Sequence, residues 1–168
     1  MAVLPKRKLT AAEYLEIERA AEFRSEFHDG EMFAMAGGTA NHNVVIGNLR
    51  GELRNRLKGR SCQTYSENLI VEVLSTSTEA LDRGKKFQHY RSIPSLVEYG
   101  LVSQREPLIE RFTRQDDGSW NLVVFAGLDA TRRFESVDAD IPLAEIYENA
   151  EFGPEPGPAE ATGAPEIG

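Results

Sequence analysis

The sequence predicts a domain of mixed α/β class (α+β mixed sheet), in which helices pack on a sheet of short strands. Three observations carry that prediction. Short apolar runs bounded by turn residues recur along the chain, and one of them, Leu69-Ile70-Val71-Glu72-Val73-Leu74, is apolar on both faces except for one carboxylate. Val45, Ile46, Leu49, Leu53 and Leu57 recur at three- and four-residue steps, the period of a helix with one apolar face. A length of 168 residues suits one domain with a real core. Strands and helices interleaved in this way build a mixed sheet with helices on it.

Each element has its own local signal. Thr10-Ala11-Ala12-Glu13 has the form of a capping box, with Leu9 and Tyr14 placed as a hydrophobic staple, so a first helix is expected from near Ala11 to about Glu22. The stretch FHDGEMFAMAGG reads as two short strands around Asp29-Gly30, a strong hairpin dipeptide, with Gly37-Gly38 ending the second. A second helix should run from about Ala40 to Lys58. SCQTYS reads as a short strand that leads at once into 69–74. A helix from about Glu79 to Arg91 and a strand at LVEYGLV follow. LIERFTR and WNLVVF form a hairpin around Asp116-Asp117-Gly118, and a last edge strand near Arg132–Glu135 and a short helix at Leu143–Tyr147 close the domain at about residue 150.

Composition narrows the function classes. The net charge is −8, but half of it comes from residues 151–168, which hold four glutamates and no Lys or Arg. That acidic, Pro/Gly-rich tail has almost no core-forming side chain and is expected to be disordered. The one cysteine, Cys62, excludes an intrachain disulfide and a cysteine-based zinc cluster. No stretch approaches the ~18 to 20 apolar residues that span a bilayer, and MAVLPKRKL has no apolar core of a secretory signal. A cytoplasmic protein that avoids membranes is the expectation.

Chemistry concentrates around Glu72. Side chains alternate along a strand, so Glu72 shares a face with Ile70 and Leu74, and apolar residues on both faces mark a central, covered strand. An ionised carboxylate there costs several kcal/mol unless a cation meets it, and a metal ion or a lysine would serve. Asp82, Lys86 and Tyr90 lie at steps of four on the next helix and project from one face, as a surface Asp–Lys pair or toward Glu72. On the second helix Arg50, Arg54 and Lys58 form a basic row, with Arg56 and Arg60 nearby. It reads either as a solvated face at a helix C-terminus or as a stripe contacting the DNA backbone.

The stretches YLEIERAAEFRSEFHDGEMFAMAGG, NHNVVIGNL, LIVEVLSTSTEALDRGKKFQHYRSIPSLVEYGLV and PLAEIY resemble the putative restriction endonuclease family within the PD-(D/E)XK nuclease superfamily. The resemblance covers nearly all of residues 9–148, in order. It implies a restriction-endonuclease-like core with acidic residues on neighbouring central strands. Glu72 would be the acid of the (D/E)XK signature. The usual lysine position is Leu74 here, and Lys86 on the following helix would supply the ammonium, with Tyr90 in support. Lys85 lies about 100° round the helix. The activity implied is metal-dependent hydrolysis of DNA phosphodiesters. Mg²⁺ would polarise the phosphoryl oxygen and help generate hydroxide, and the lysine would position that water and stabilise developing charge. By analogy, cleavage of both strands implies a homodimer.

The chain departs from the family pattern in one place. The aspartate of a Pro-Asp pair on the preceding strand, the first metal ligand, is absent, and CQTYSEN passes directly into LIVEVLS around Asn68-Leu69. The departure implies an internal deletion that removes that ligand and one or two strands. Glu67, Glu31 and His42 are the candidates to contribute in its place, although Glu67 is spaced to face away from Glu72. A catalytically silent remnant that binds DNA or a protein is the alternative to an endonuclease.

Overall fold

The computed structural model describes residues 7–22, 24–35, 38–59 and 68–153. The SCQTYS strand, Glu67, Arg60 and most of the acidic tail lie outside these residues. Helix α1 (Ala11–Ala20) starts on the expected capping box: the Thr10 side chain accepts from the Glu13 N–H and Glu13 accepts from the Thr10 N–H. It ends two residues earlier than expected. Strands β1 (Ser25–His28) and β2 (Glu31–Ala34) pair around Asp29 and Gly30, whose φ values of 47° and 81° are both left-handed, as a tight hairpin turn of this kind requires. Tyr14 stacks on Phe27 at 4.8 Å and ties α1 to that hairpin.

The principal sheet has the order β3-β4-β5-β6, from β3 (Leu69–Val73), β4 (Glu98–Val102), β5 (Leu108–Arg114) and β6 (Trp120–Ala126). The β3–β4 pair is parallel and the others antiparallel, so the sheet is mixed as the sequence predicts. Helix α2 (Ala40–Leu57) lies across one face through Val45, Leu49, Leu53 and Leu57. On that face it meets Val71 and Val73, the hairpin of β7 (Thr131–Phe134) with β8 (Ala139–Pro142), and α5 (Leu143–Ile146). The opposite face is covered by α3 (Glu79–Leu81), a π-helical turn (Asp82–Lys86) and α4 (Phe87–Tyr90). There Phe87 and Tyr90 pack on Ile70, Leu74, Tyr99, Leu101 and Phe112.

Three expectations need correction. Strand β3 is an edge strand among the described residues, half-buried along its length, and the fully buried strand is β4. Apolar residues on both faces of a strand report that both faces of the sheet are covered; they do not report a neighbour on each side. The helix at 79–91 widens into a π-helical turn at its centre. The segment near Arg132–Glu135 is not an edge of the principal sheet; β7 pairs with β8, which the sequence reading missed. The packed chain also runs past residue 150, since Phe152 meets the Tyr147 ring and the Glu151 N–H donates to Asn41.

A buried ion pair fastens the β7–β8 hairpin to β4. Arg132 (0% exposed) donates to Glu98 (1% exposed) at 2.6 Å and lies over the Phe134 ring at 4.2 Å. The second Glu98 oxygen accepts from the Ser136 N–H and hydroxyl, so the carboxylate is saturated. Burial pulls the Arg132 guanidinium down to about 10, still charged at neutral pH. Removing one member strands a buried charge. Glu98→Ala is therefore expected to cost about 3–5 kcal/mol in urea unfolding. The double replacement Glu98→Leu with Arg132→Met should cost markedly less than Glu98→Ala alone.

Candidate functional site

The edge that β3 presents among the described residues, the N-terminal half of α2 and the β1–β2 hairpin enclose a cleft of about 290 Å³. Glu26, His42, Arg50, Glu72, Asp82 and Lys86 line it, with Met35, Ile46, Val71 and Val73 as its apolar wall. Glu72 reaches it because alternation along β3 turns Ile70, Glu72 and Leu74 to the face that carries Tyr90. The π-helical turn then brings Lys86 back over the strand. Its ammonium lies 2.8 Å from Glu26 Oε2, 2.8 Å from Asp82 Oδ1 and 3.6 Å from Glu72 Oε1. The Tyr90 hydroxyl donates to Glu72 Oε1 at 3.1 Å. Insertion of such a turn into a helix is a frequent mark of a functional position.

Two members of this cluster carried no sequence signal strong enough to select them. Glu26 comes from β1 and lies far from Glu72 in the chain. Asp82 shares the four-residue step with Lys86 but reads as half of a surface pair, whereas it is 1% exposed and accepts from the Thr78 hydroxyl at 2.9 Å. The Asp82 carbonyl further accepts from the Tyr99 hydroxyl. Of the other expected residues, His42 lines the cleft but its Nε2 bonds the Val73 carbonyl at 3.1 Å on that edge of β3. Since a carbonyl only accepts, that nitrogen carries the proton. Glu31 is drawn off by Lys85 at 2.5 Å and does not line the cleft. Arg50, Arg54 and Lys58 stand exposed along α2 without an ion pair among the described residues, and Arg50 reaches the cleft wall. Arg56, beside them, is held by Glu52 and Glu145.

The electrostatics follow from three carboxylates around one ammonium. Burial lifts the Glu72 carboxyl above its usual value; Lys86 opposes that lift, while the charges of Asp82 and Glu26 add to it. Burial alone would lower the Lys86 ammonium, but Asp82, Glu26 and Glu72 together hold it well above the ordinary lysine value. Tyr90 is pushed up to about 12 by burial and by the charge of Glu72. Lys86 is therefore charged at every physiological pH, and with the carboxylates ionised the cluster keeps an excess of negative charge.

The donor set is all oxygen, the chemistry that Mg²⁺ prefers. The arrangement does not fit one, because the ammonium already occupies the space between the carboxylates. Among the described residues no three acidic, histidine or cysteine groups converge as metal ligands. Glu26 Oε2 and Asp82 Oδ1 are buried, and each lies within hydrogen-bond distance of the Lys86 ammonium, which neutralises them in part.

The family described as putative restriction endonuclease (Uma2) matches residues 66–143. Uncharacterized protein slr1290 of Synechocystis sp. is 30% identical over 183 residues, covering 88% of this chain and 96% of that protein. Uncharacterized protein sll1609 of the same organism is 31% identical over 171 residues, covering 80% of this chain and 97% of that protein. The crystal structure of a putative nuclease belonging to DUF820 from Anabaena variabilis superposes with a TM-score of 0.63 at 13% identity, covering 83% of this chain and 97% of that one. It shares the fold. No helix among the described residues is long and apolar enough to cross a membrane.

The raised Glu72 carboxyl yields a stability prediction with a definite sign. A carboxyl whose value is higher in the folded state makes the native protein hold more protons than the unfolded chain. Its ionisation therefore removes stability as pH rises above 4.5, the ordinary value. Glu72→Gln should melt at a higher temperature than the wild type at pH 7 to 8. That advantage should shrink to nothing once Glu72 is protonated in both states, below the ordinary carboxylate range. Calorimetric melting across that range measures both.

Proposed function

This chain belongs to the Uma2 family of putative restriction endonucleases, and from that membership we propose that it binds DNA along α2 with its hydrolytic centre closed by Lys86. The observation that carries the reading is the row Arg50, Arg54 and Lys58: three exposed cations at one-turn spacing, without an ion pair among the described residues, that lead to the cleft holding Glu72. Steps of four along a helix advance about 6 Å, so the row offers a straight line of charge to a phosphate backbone. The acidic composition does not oppose this, because half of the net charge sits in the tail.

Closure of the centre rests on charge. A phosphodiester approaching Glu72 meets an excess of negative charge, and the lysine that would receive it is already engaged by three carboxylates. The absent Pro-Asp aspartate supports an internal loss beside β3.

The second reading is a Mg²⁺-dependent DNA endonuclease, acting as a homodimer on both strands in the cytoplasm. It is favoured by the meeting of Glu72, Lys86 and Tyr90, the three residues that the family resemblance selects. It needs further ligands, from the substrate phosphates or from residues outside those described.

One pair of assays separates the readings. Binding of a short duplex, followed by anisotropy across a salt series, should weaken with salt, and neutralising Arg50, Arg54 and Lys58 together should lower the log–log slope by roughly 2 to 3. Supercoiled plasmid in Mg²⁺ should show no nicking that depends on Glu72. Nicking abolished by Glu72→Ala and by Lys86→Ala would establish the endonuclease instead. Binding that ignores both salt and the three substitutions would remove DNA as the partner.

A further inference from the structure

We propose that the Lys86 ammonium is a tethered replacement for a divalent cation: it fills an oxygen-lined hole made by Glu26, Glu72 and Asp82, and in doing so keeps the wild-type centre free of metal. The inference concerns the same centre as the proposed function, but it is read by metal binding rather than by DNA.

Three facts carry it. The three carboxylates come from β1, β3 and the π-helical turn, and each has an oxygen within 3.6 Å of the one ammonium. Two of their oxygens, Glu26 Oε2 and Asp82 Oδ1, are fully buried and lie 2.8 Å from the ammonium, which is the cation and donor they face. Asp82 is itself 1% exposed, which places one whole carboxylate inside the hole with an oxygen aimed at its centre.

Charge decides what the hole accepts. One ammonium against three carboxylates leaves two negative charges uncompensated, which a surface lysine pair would not. An ammonium and a divalent ion compete for the same oxygens, because both need the space between Glu26, Asp82 and Glu72. With Lys86 in place, an incoming ion meets a fixed positive charge at contact distance. The ammonium also fills the space between the oxygens, so the carboxylates cannot turn to an ion without releasing the lysine. With the lysine side chain replaced by a neutral one of similar length, three carboxylates face a void, and hard, oxygen-preferring divalent ions suit such a set.

The test uses Mn²⁺ as the probe, whose paramagnetism broadens the amide signals nearest to it. In wild-type protein, Val71 and Val73 amides should show no saturable broadening. Lys86→Met should bind Mn²⁺ at this place with affinity higher by about tenfold or more, centred on Val71 and Val73. Adding Glu26→Gln to Lys86→Met should remove the gain. Lys86→Arg, which keeps the charge, should behave as wild type. If Lys86→Met unfolds in EDTA because its carboxylates are unopposed, refolding on addition of Mn²⁺, measured by circular dichroism, reads the same hole. Saturable Mn²⁺ binding at β3 of the wild type would overturn the proposal. So would a Lys86→Met protein that gains no affinity, or one that stays unfolded in millimolar Mn²⁺.

Discussion

The contact of the Lys86 ammonium with Glu26, Asp82 and Glu72 is the interaction on which the functional half of this molecule depends. It joins the β1–β2 hairpin, the π-helical turn and the edge of the principal sheet, beside a second tie from Lys85 to Glu31. In a cleft this size, carboxylates from separate elements would repel and the walls would separate. A single charged side chain, buried except for a small fraction, holds them together. Lys86 is thus a structural tie before it is anything catalytic, and its raised affinity for a proton is the thermodynamic expression of that role.

The molecule places two glutamates in two apolar strands and uses them differently. Glu98 in β4 is sealed by Arg132 and by the Ser136 N–H and hydroxyl, which satisfy both of its oxygens. Glu72 in β3 faces a cleft, receives one hydroxyl bond, and shares one ammonium with two other acids. In sequence, LIVEV and LVEYGLV carry the same signal, a carboxylate among branched apolar residues. The sequence reading took the first as a site and passed over the second. Only the three-dimensional partners distinguish a saturated structural pair from an under-neutralised centre.

Periodic features were legible in the sequence and lateral ones were not. The apolar row of α2, the capping box of α1 and the Asp29-Gly30 turn specify their own geometry, and all three formed as read. The order of strands in the sheet depends on contacts between distant segments, so the edge position of β3 and the pairing of β7 with β8 could not be seen. The site divided in the same way. Lys86 and Tyr90 follow Glu72 closely and were identified together, while Glu26 arrives from a hairpin far earlier in the chain. Spacing of Asp82, Lys86 and Tyr90 at steps of four pointed to one face, yet the intervening π-helical turn changes the pitch and seats Lys86 more deeply than a regular helix would.

The central claim is that Lys86 sits charged and enclosed among three carboxylates, and the ammonium itself reports on this most directly. Selective ¹⁵N labelling of lysine allows the Nζ–H protons of an enclosed ammonium to be observed when those of solvent-exposed lysines are lost to exchange. One protected ammonium resonance should persist through neutral pH, vanish in Lys86→Met, and shift in Glu26→Gln and in Asp82→Asn. Absence of any protected ammonium, or one indifferent to both carboxylate substitutions, would contradict the account.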